Sequence, residues 1–480
     1  MFSLDDLLSA YSRTPLSPGN GETVVFAGVA IDSRQAQPGD LFVALPGEHR
    51  DGHDFIAAAL RQGCRGALAQ AERVPRQVLD DPAVAVHEWT GQQWRHIVPA
   101  RATAVLVLVP EPLAGLQRLA GRWRERFSPA VVGITGSVGK SSAKELIAAV
   151  LSQRLATLKS AKSYNNELGL PLTLLGLRPE HQAVVLEMGT YGPGEITLLA
   201  QVARPQIGVV TNVSHSHLER MGSLEAIARA KSELPAALPA DGLAVLNGDE
   251  ALIRAMATVT PAAVLFYGQG AGCDLRAVDV QSRGLEGISF TAQVGGESRP
   301  LRCALAGRHS VYTALAALAV GRHLGLSWDE IQAGLLDDRA RLRLVRVPAR
   351  GGATLLDDTY NASPASCRAA LDLLAELPGR RIAVLGDMLE LGAYEAEGHR
   401  LVGQWAAGVV RELYVVGPRA RLIGEAATAA GLPPSRVYFA PDPQAAVDLL
   451  QGRLKPRDVV LVKGSRAMEM DRIVAALQEA

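Results

Sequence analysis

The stretch Val131-Val132-Gly133-Ile134-Thr135-Gly136-Ser137-Val138-Gly139-Lys140-Ser141-Ser142 decides the fold. A short apolar strand, Val131–Ile134, runs into a glycine-rich turn. A helical stretch then leaves with Leu146, Ile147 and Val150 on one side. Glycine lets backbone N–H groups turn inward and form an anion cradle, and a helix N-terminus adds partial positive charge. Lys140 is placed to reach the β- and γ-phosphates of a nucleotide, and the Ser141 hydroxyl to bind Mg²⁺. The general pattern has glycine where Ile134 stands, so the match is to G-x-x-G-K-S. Thr135, Gly136, Ser137, Val138, Gly139, Lys140, Ser141 and Ser142 are therefore the candidate nucleotide-binding set; the alternative is a plain glycine turn between strand and helix.

Around this loop the pattern is α/β. Before it lies a helix with Leu113, Leu116, Ala120, Trp123 and Phe127 spaced along one face. After it come strand-like runs at Ala183–Leu186, Ile207–Val210 and Leu243–Leu246, as in a parallel sheet. Asp274–Leu305 alternates apolar and polar residues with glycine turns, which predicts antiparallel strands, and an apolar helix follows over Ser310–Leu324. From about Asp338 strands and helices alternate again, at Ala353–Leu356, Ile382–Leu385, Leu413–Val416, Val437–Phe439 and Val459–Val462. Near the N-terminus Leu41–Leu45 reads as a strand, Asp54–Gln62 as a helix, and Leu79–Pro99 as irregular. The expected division is 1–108, a small α/β substrate domain; 109–337, a central P-loop domain on a parallel sheet; and 338–480, a Rossmann-like α/β domain.

Composition agrees with a three-domain globular chain. The 480 residues carry 49 basic and 49 acidic side chains, so no net charge argues for a nucleic-acid or membrane-surface partner. Cys64, Cys273, Cys303 and Cys367 lie far apart, which fits neither a zinc nor a disulfide framework and points to the cytoplasm. The N-terminus has no signal-peptide pattern, and no apolar run is long enough for a membrane span.

A phosphate loop that transfers phosphate needs metal ligands nearby. Glu187 stands at the end of one strand and His217 in the loop after the next, where ligands of parallel sheets bind. Each alone reads as a surface residue; two beyond consecutive strands, downstream of this loop, read as a site. Lys231, in Ala230-Lys231-Ser232-Glu233, reads by spacing as a solvated helix lysine.

With these residues in view the sequence resembles, over nearly its whole length, the Mur ligases of peptidoglycan synthesis. Thr135–Ser141 is similar to that family's variant of the phosphate loop, and Ala230–Glu233 to the segment carrying its carbamylated lysine. Four segments, Ser163–Pro171, Glu187-Met188-Gly189, Asp357–Pro364 and Val384–Gly392, resemble the branch that acts on D-alanyl-D-alanine. The D-N-P-R motif of the tripeptide-forming branch is absent from the sequence. The resemblance implies ATP-dependent ligation of D-alanyl-D-alanine to UDP-N-acetylmuramoyl-tripeptide through an acyl phosphate, with Mg²⁺, small-molecule substrates and a monomer as the working unit. It also implies metal binding by Ser141, Glu187, His217 and a carbamate on Lys231. ATP contacts would come from His309, Arg343 (with Arg341 a close competitor) and Asp358, and substrate contacts from Ser33, Arg34, Asn165, Asn166, Tyr360 and Asn361. Ser310 and Thr313 stand where the family has asparagines near the adenine. The alternatives are another ligase of this architecture, such as the tripeptide-forming branch or folylpolyglutamate synthase, and a P-loop NTPase switch without ligase activity.

Overall fold

The structure is a computed structural model that describes residues 1–12, 24–47, 50–161, 164–215, 218–340 and 344–479. By internal contacts the chain divides into two units: one of 1–131, 158–188 and 197–205, the other of 132–157, 189–196 and 206–480.

The first unit holds a six-stranded sheet in the order Val29–Ala30, Leu41–Val43, Gly66–Ala69, Ala104–Leu108, Val84–Trp89, Trp94–Ile97. All pairs are parallel except the last. The stretch expected to be irregular is thus a hairpin joined to a parallel strand. Its apolar run Val84-Ala85-Val86 is too short to declare itself, and the pairing with Ala104–Leu108 supplies what the local pattern lacks. The helix Pro112–Arg124 carries the predicted stripe; Leu116, Ala120 and Trp123 are buried, and the Trp123 indole donates to the Leu177 carbonyl (3.1 Å).

In the second unit, Ile207–Val210 lies between Ala130–Thr135 and Leu243–Asn247, all parallel. Ala263–Gly268 extends the sheet in parallel. The strands Leu275–Ser282, Ile288–Val294 and Glu297–Cys303 then form the predicted antiparallel edge, and Ser310–His323 is the predicted helix. A separate six-stranded sheet runs in the order Val345–Ala349, Ala353–Asp357, Asp458–Lys463, Arg380–Gly386, Glu412–Val416, Val437–Ala440. It is parallel apart from its first strand, which the sequence did not reveal because Val345-Arg346-Val347-Pro348 is mostly solvent-exposed. The strands Ile382–Leu385 and Val459–Val462 are buried on both faces, which is why they read as continuous apolar runs. The phosphate loop and Asp358 follow the carboxyl ends of parallel strands of this unit.

Candidate functional site

The strand Ala130–Thr135 delivers the loop, and the helix Lys140–Leu151 takes it away. Gly139 caps that helix at φ +84°, a left-handed conformation that suits glycine. Gly136 leaves no room for a side chain: a Cβ there would lie 1.9 Å from Thr211 Oγ1. The loop is braced from the end of the next strand. Val138 N–H donates to Asn212 Oδ1 (2.8 Å), Asn212 Nδ2 donates to the Val138 carbonyl (2.7 Å), and Thr211 Oγ1 donates to the same carbonyl (2.8 Å). Ser214 N–H donates to Ser137 Oγ (2.9 Å). Lys140 Nζ bends over the loop and donates to the Gly136 carbonyl (2.7 Å). Among the described residues Thr135 Oγ1 and Ser214 Oγ are buried with no hydrogen-bond partner. Unmatched hydroxyls beside a helix N-terminus, under a lysine, are the polar lining of an anion cradle.

Lys231 overturns its reading as a solvated lysine. It lies on the buried face of the helix Leu224–Ala236, four residues after Ile227 and three before Leu234, and is 3% exposed. That spacing was the signal in the sequence. Burial, and then the nearby charge of Lys140, hold its pKa well below the usual lysine range. Among the described residues its ammonium has no hydrogen bond or ion pair.

In the first unit Glu187 ends the strand Ala183–Glu187 and is buried. Asn165 Nδ2 donates to its Oε1 (2.9 Å), so two of the predicted residues meet. Asn166 does something else: its Oδ1 accepts from Gly169 N–H (2.9 Å) at the start of the helix Gly169–Leu174. Ser33 and Arg34 lie on a surface bend. The Arg34 guanidinium, 82% exposed, pairs with Asp32 (2.6 Å) and draws that carboxyl down to about 2. Nearby in the chain, His53 is buried between Asp51 and the Gln70 N–H.

Asp358, Tyr360 and Asn361 stand at the other sheet of the second unit. Asp358 follows the strand Ala353–Asp357 and pairs with Lys463 Nζ (2.7 Å), which also donates to the Asn361 carbonyl (2.8 Å). Tyr360 is 39% exposed. His309 is exposed yet crowded by protein. The crowding lowers its pKa, against the pull of Asp358, Asp372 and Glu376. Ser310 Oγ donates to the Ala306 carbonyl (2.7 Å), so the residue in the first asparagine position closes on the turn that precedes its helix. His217, Arg343 and its competitor Arg341 lie outside the described residues. Among the described residues no three His, Cys, Asp or Glu side chains gather as a metal cluster.

Three family models match the chain: the Mur ligase middle domain over 134–321, the Mur ligase glutamate ligase domain over 341–466, and the Mur ligase family catalytic domain over 25–124. A curated relative, the UDP-N-acetylmuramoyl-tripeptide–D-alanyl-D-alanine ligase of Synechocystis, is 37% identical, covering 99% of this chain and 97% of its own. The chain belongs to the Mur ligase family. Among solved structures it is similar to MurF from Acinetobacter baumannii (27% identity, TM-score 0.82, covering 98% of this chain and 97% of that one). It is also similar to the MurF ligase from Thermotoga maritima in complex with ADP (28% identity, TM-score 0.76, covering 95% of this chain and 98% of that one).

Two residues that the sequence did not single out brace these loops: Lys463, at the end of its strand, holds Asp358 and the Asn361 carbonyl, and Asn212 holds both polar groups of the Val138 backbone. Both stand at carboxyl ends of parallel strands, but no residue pattern marks them. The long segment Val384–Gly392 proves to be wiring. Ser465 N–H donates to the Asp387 carbonyl (3.0 Å), Leu389 N–H to Ser465 Oγ (2.8 Å), and Met388 N–H to His399 Nε2 (3.0 Å).

Proposed function

We propose that this chain joins D-alanyl-D-alanine to UDP-N-acetylmuramoyl-tripeptide at the expense of ATP. The terminal carboxylate of the tripeptide attacks the γ-phosphorus, and ADP leaves. The dipeptide amine then attacks the acyl phosphate carbonyl, loses a proton, and phosphate departs as the amide forms. Residues 1–108 hold the UDP-sugar, with Ser33 and Arg34 in contact; 109–337 bind ATP; 338–480 bring Asp358, Arg343 and the dipeptide-facing Tyr360 and Asn361. The chain works as a monomer in the cytoplasm.

Lys140 neutralises phosphate charge, and the amides of residues 135–142 orient it. His309 lies on the nucleotide side. Mg²⁺, held by Ser141, Glu187, His217 and a carbamate on Lys231, would supply charge neutralisation at the phosphates. The donor set fits. An ammonium cannot ligate a cation, but a buried lysine kept neutral by its surroundings can add to CO₂, forming an N–C bond and releasing a proton. Asn165 orients Glu187.

The observation that carries the reaction class is Lys231, a desolvated amine within electrostatic reach of the phosphate-loop lysine. An NTPase switch has no use for it. The choice of dipeptide rests on the full-length relative whose name states that reaction. The test is phosphate release from ATP and Mg²⁺ with UDP-N-acetylmuramoyl-tripeptide, with and without D-alanyl-D-alanine. Release that requires both, with a pentapeptide product by mass, is expected. Release independent of both would make the chain an NTPase.

A further inference from the structure

The dipeptide is a zwitterion. Its amine has to remain free to attack, so its terminal carboxylate is the handle by which a protein can distinguish it. Such a seat needs a cation not already neutralised. Several arginines around the C-terminal sheet are neutralised: Arg380 by Glu412 and Asp458, Arg368 by Asp372, Arg419 by Glu395, Arg421 by Glu425. Arg466, just past the carboxyl end of the strand Asp458–Lys463, and Arg220, on the helix Leu218–Met221, make no side-chain hydrogen bond or ion pair among the described residues.

Both are held by aromatic rings instead. The Arg466 guanidinium lies 5.6 Å from the Tyr360 ring centroid, and that of Arg220 lies 5.1 Å from the Tyr191 centroid. A ring occupies one face of a guanidinium and leaves its N–H edge open, and that edge is what grips a carboxylate with two parallel bonds. The two pairs share a neighbourhood. Burial raises the Tyr191 phenol, Glu390 raises it further, Arg220 lowers it, and Tyr360 contributes as well. Arg466 is also fixed to the chemistry. It opens the turn Arg466–Met468 just after Lys463, whose Nζ holds Asp358 and the Asn361 carbonyl, while the intervening Ser465 is pinned to Asp387 and Leu389.

We propose that Arg466 binds the terminal carboxylate of D-alanyl-D-alanine, with Tyr360 as the flat support that keeps its N–H edge turned outward. Arg220, on the Tyr191 side, is the weaker second cation. This assignment rests on the ligase reading above.

The experiment compares D-alanyl-D-alanine with D-alanyl-D-alaninamide, which lacks the negative charge, in wild type and in Arg466→Ala, Arg466→Lys and Arg220→Ala. Wild type should prefer the acid. Arg466→Ala should lose about 30-fold in kcat/KM for the acid, chiefly through KM, and leave the amide nearly unchanged, because only the acid loses a charge-assisted pair. Arg466→Lys should recover part of the preference, and Arg220→Ala should keep most of it. Equal losses for acid and amide in Arg466→Ala would overturn the assignment, as would collapse of the preference in Arg220→Ala alone. Wild type using acid and amide equally well would overturn it too while leaving the ligase reading intact. No turnover of either by wild type would remove the ligase reading, and this assignment with it.

Discussion

Lys231 and Lys463 are buried alike, at 3% and 2% exposure, and they are opposite in kind. Lys463 sits at the end of a parallel strand with a carboxylate and a carbonyl within 2.8 Å. Lys231 sits on the apolar face of a helix with no hydrogen bond or ion pair among the described residues and a like charge nearby. A buried ammonium with a partner is a strut. A buried lysine without one is pressed toward the neutral amine, which is a nucleophile. The same residue type thus fixes a turn in one place and offers chemistry in the other, and the surroundings alone decide which.

The sharpest way to break this contrast is through turnover. Lys231→Ala should lose on the order of 10²–10³-fold in kcat, the range seen when one preorganised electrostatic group is removed from a transferring phosphoryl or acyl centre. Short-chain carboxylates such as acetate should restore part of that loss, since they can refill the anionic position. Lys463→Ala should also lose activity, but added carboxylate should give nothing back. Rescue of both, or of neither, would erase the distinction.

Stability is the second test, and the two lysines should differ in sign. Lys463→Met removes one partner of a buried pair and leaves Asp358 uncompensated, which should destabilise the fold by about 3 kcal/mol. Lys231→Met replaces an unpartnered amine with an apolar side chain of similar length. In CO₂-depleted buffer it should stabilise the inactive protein by about 1 kcal/mol. Urea unfolding midpoints at fixed pH read both. A Lys231→Met variant less stable than wild type would mean that the amine has a favourable partner.

The third test is pH. The folded-state pKa of Lys231 lies below its unfolded value, so between the two the unfolded chain binds more protons. Stability in CO₂-depleted buffer should therefore rise with pH up to about 10, with a slope from this group of at most about 1.4 kcal/mol per pH unit. Lys231→Met should lack that component. Identical pH slopes in the two proteins would mean that the amine stays protonated in the fold.

The contrast also marks what could be read from the sequence. Parallel strands buried on both faces, such as Val459–Val462, showed themselves as apolar runs, and the glycines of the phosphate loop announced a backbone need that only glycine meets at Gly136. The hairpin of Val84–Trp89 and Trp94–Ile97 stayed hidden because its stability comes from a distant partner strand. Lys231 was read as solvated although Ile227 and Leu234 share its helix face, because a lysine is usually assigned to water. Lys463 and Asn212 were not legible by pattern, because their importance lies in which carbonyl or carboxylate the folded chain brings to them. Val384–Gly392 was legible as distinctive but not as structural.

The smallest effect is the most informative about cause. Asp358→Asn keeps an acceptor beside Lys463 Nζ and leaves the Asn361 carbonyl bond in place, but it removes the counter-charge. The loss in stability at neutral pH should be only about 1 kcal/mol, since Asp358 is partly exposed and one hydrogen bond survives. Urea unfolding of the variant beside the wild type reads it. A loss as large as that of Lys463→Met would show that the counter-charge, not the hydrogen bonds to Asp358 and the Asn361 carbonyl, makes Lys463 a strut. No loss at all would show that a neutral acceptor suffices, and the difference between the two lysines would then lie in the hydrogen bonds that Lys463 makes and Lys231 lacks among the described residues.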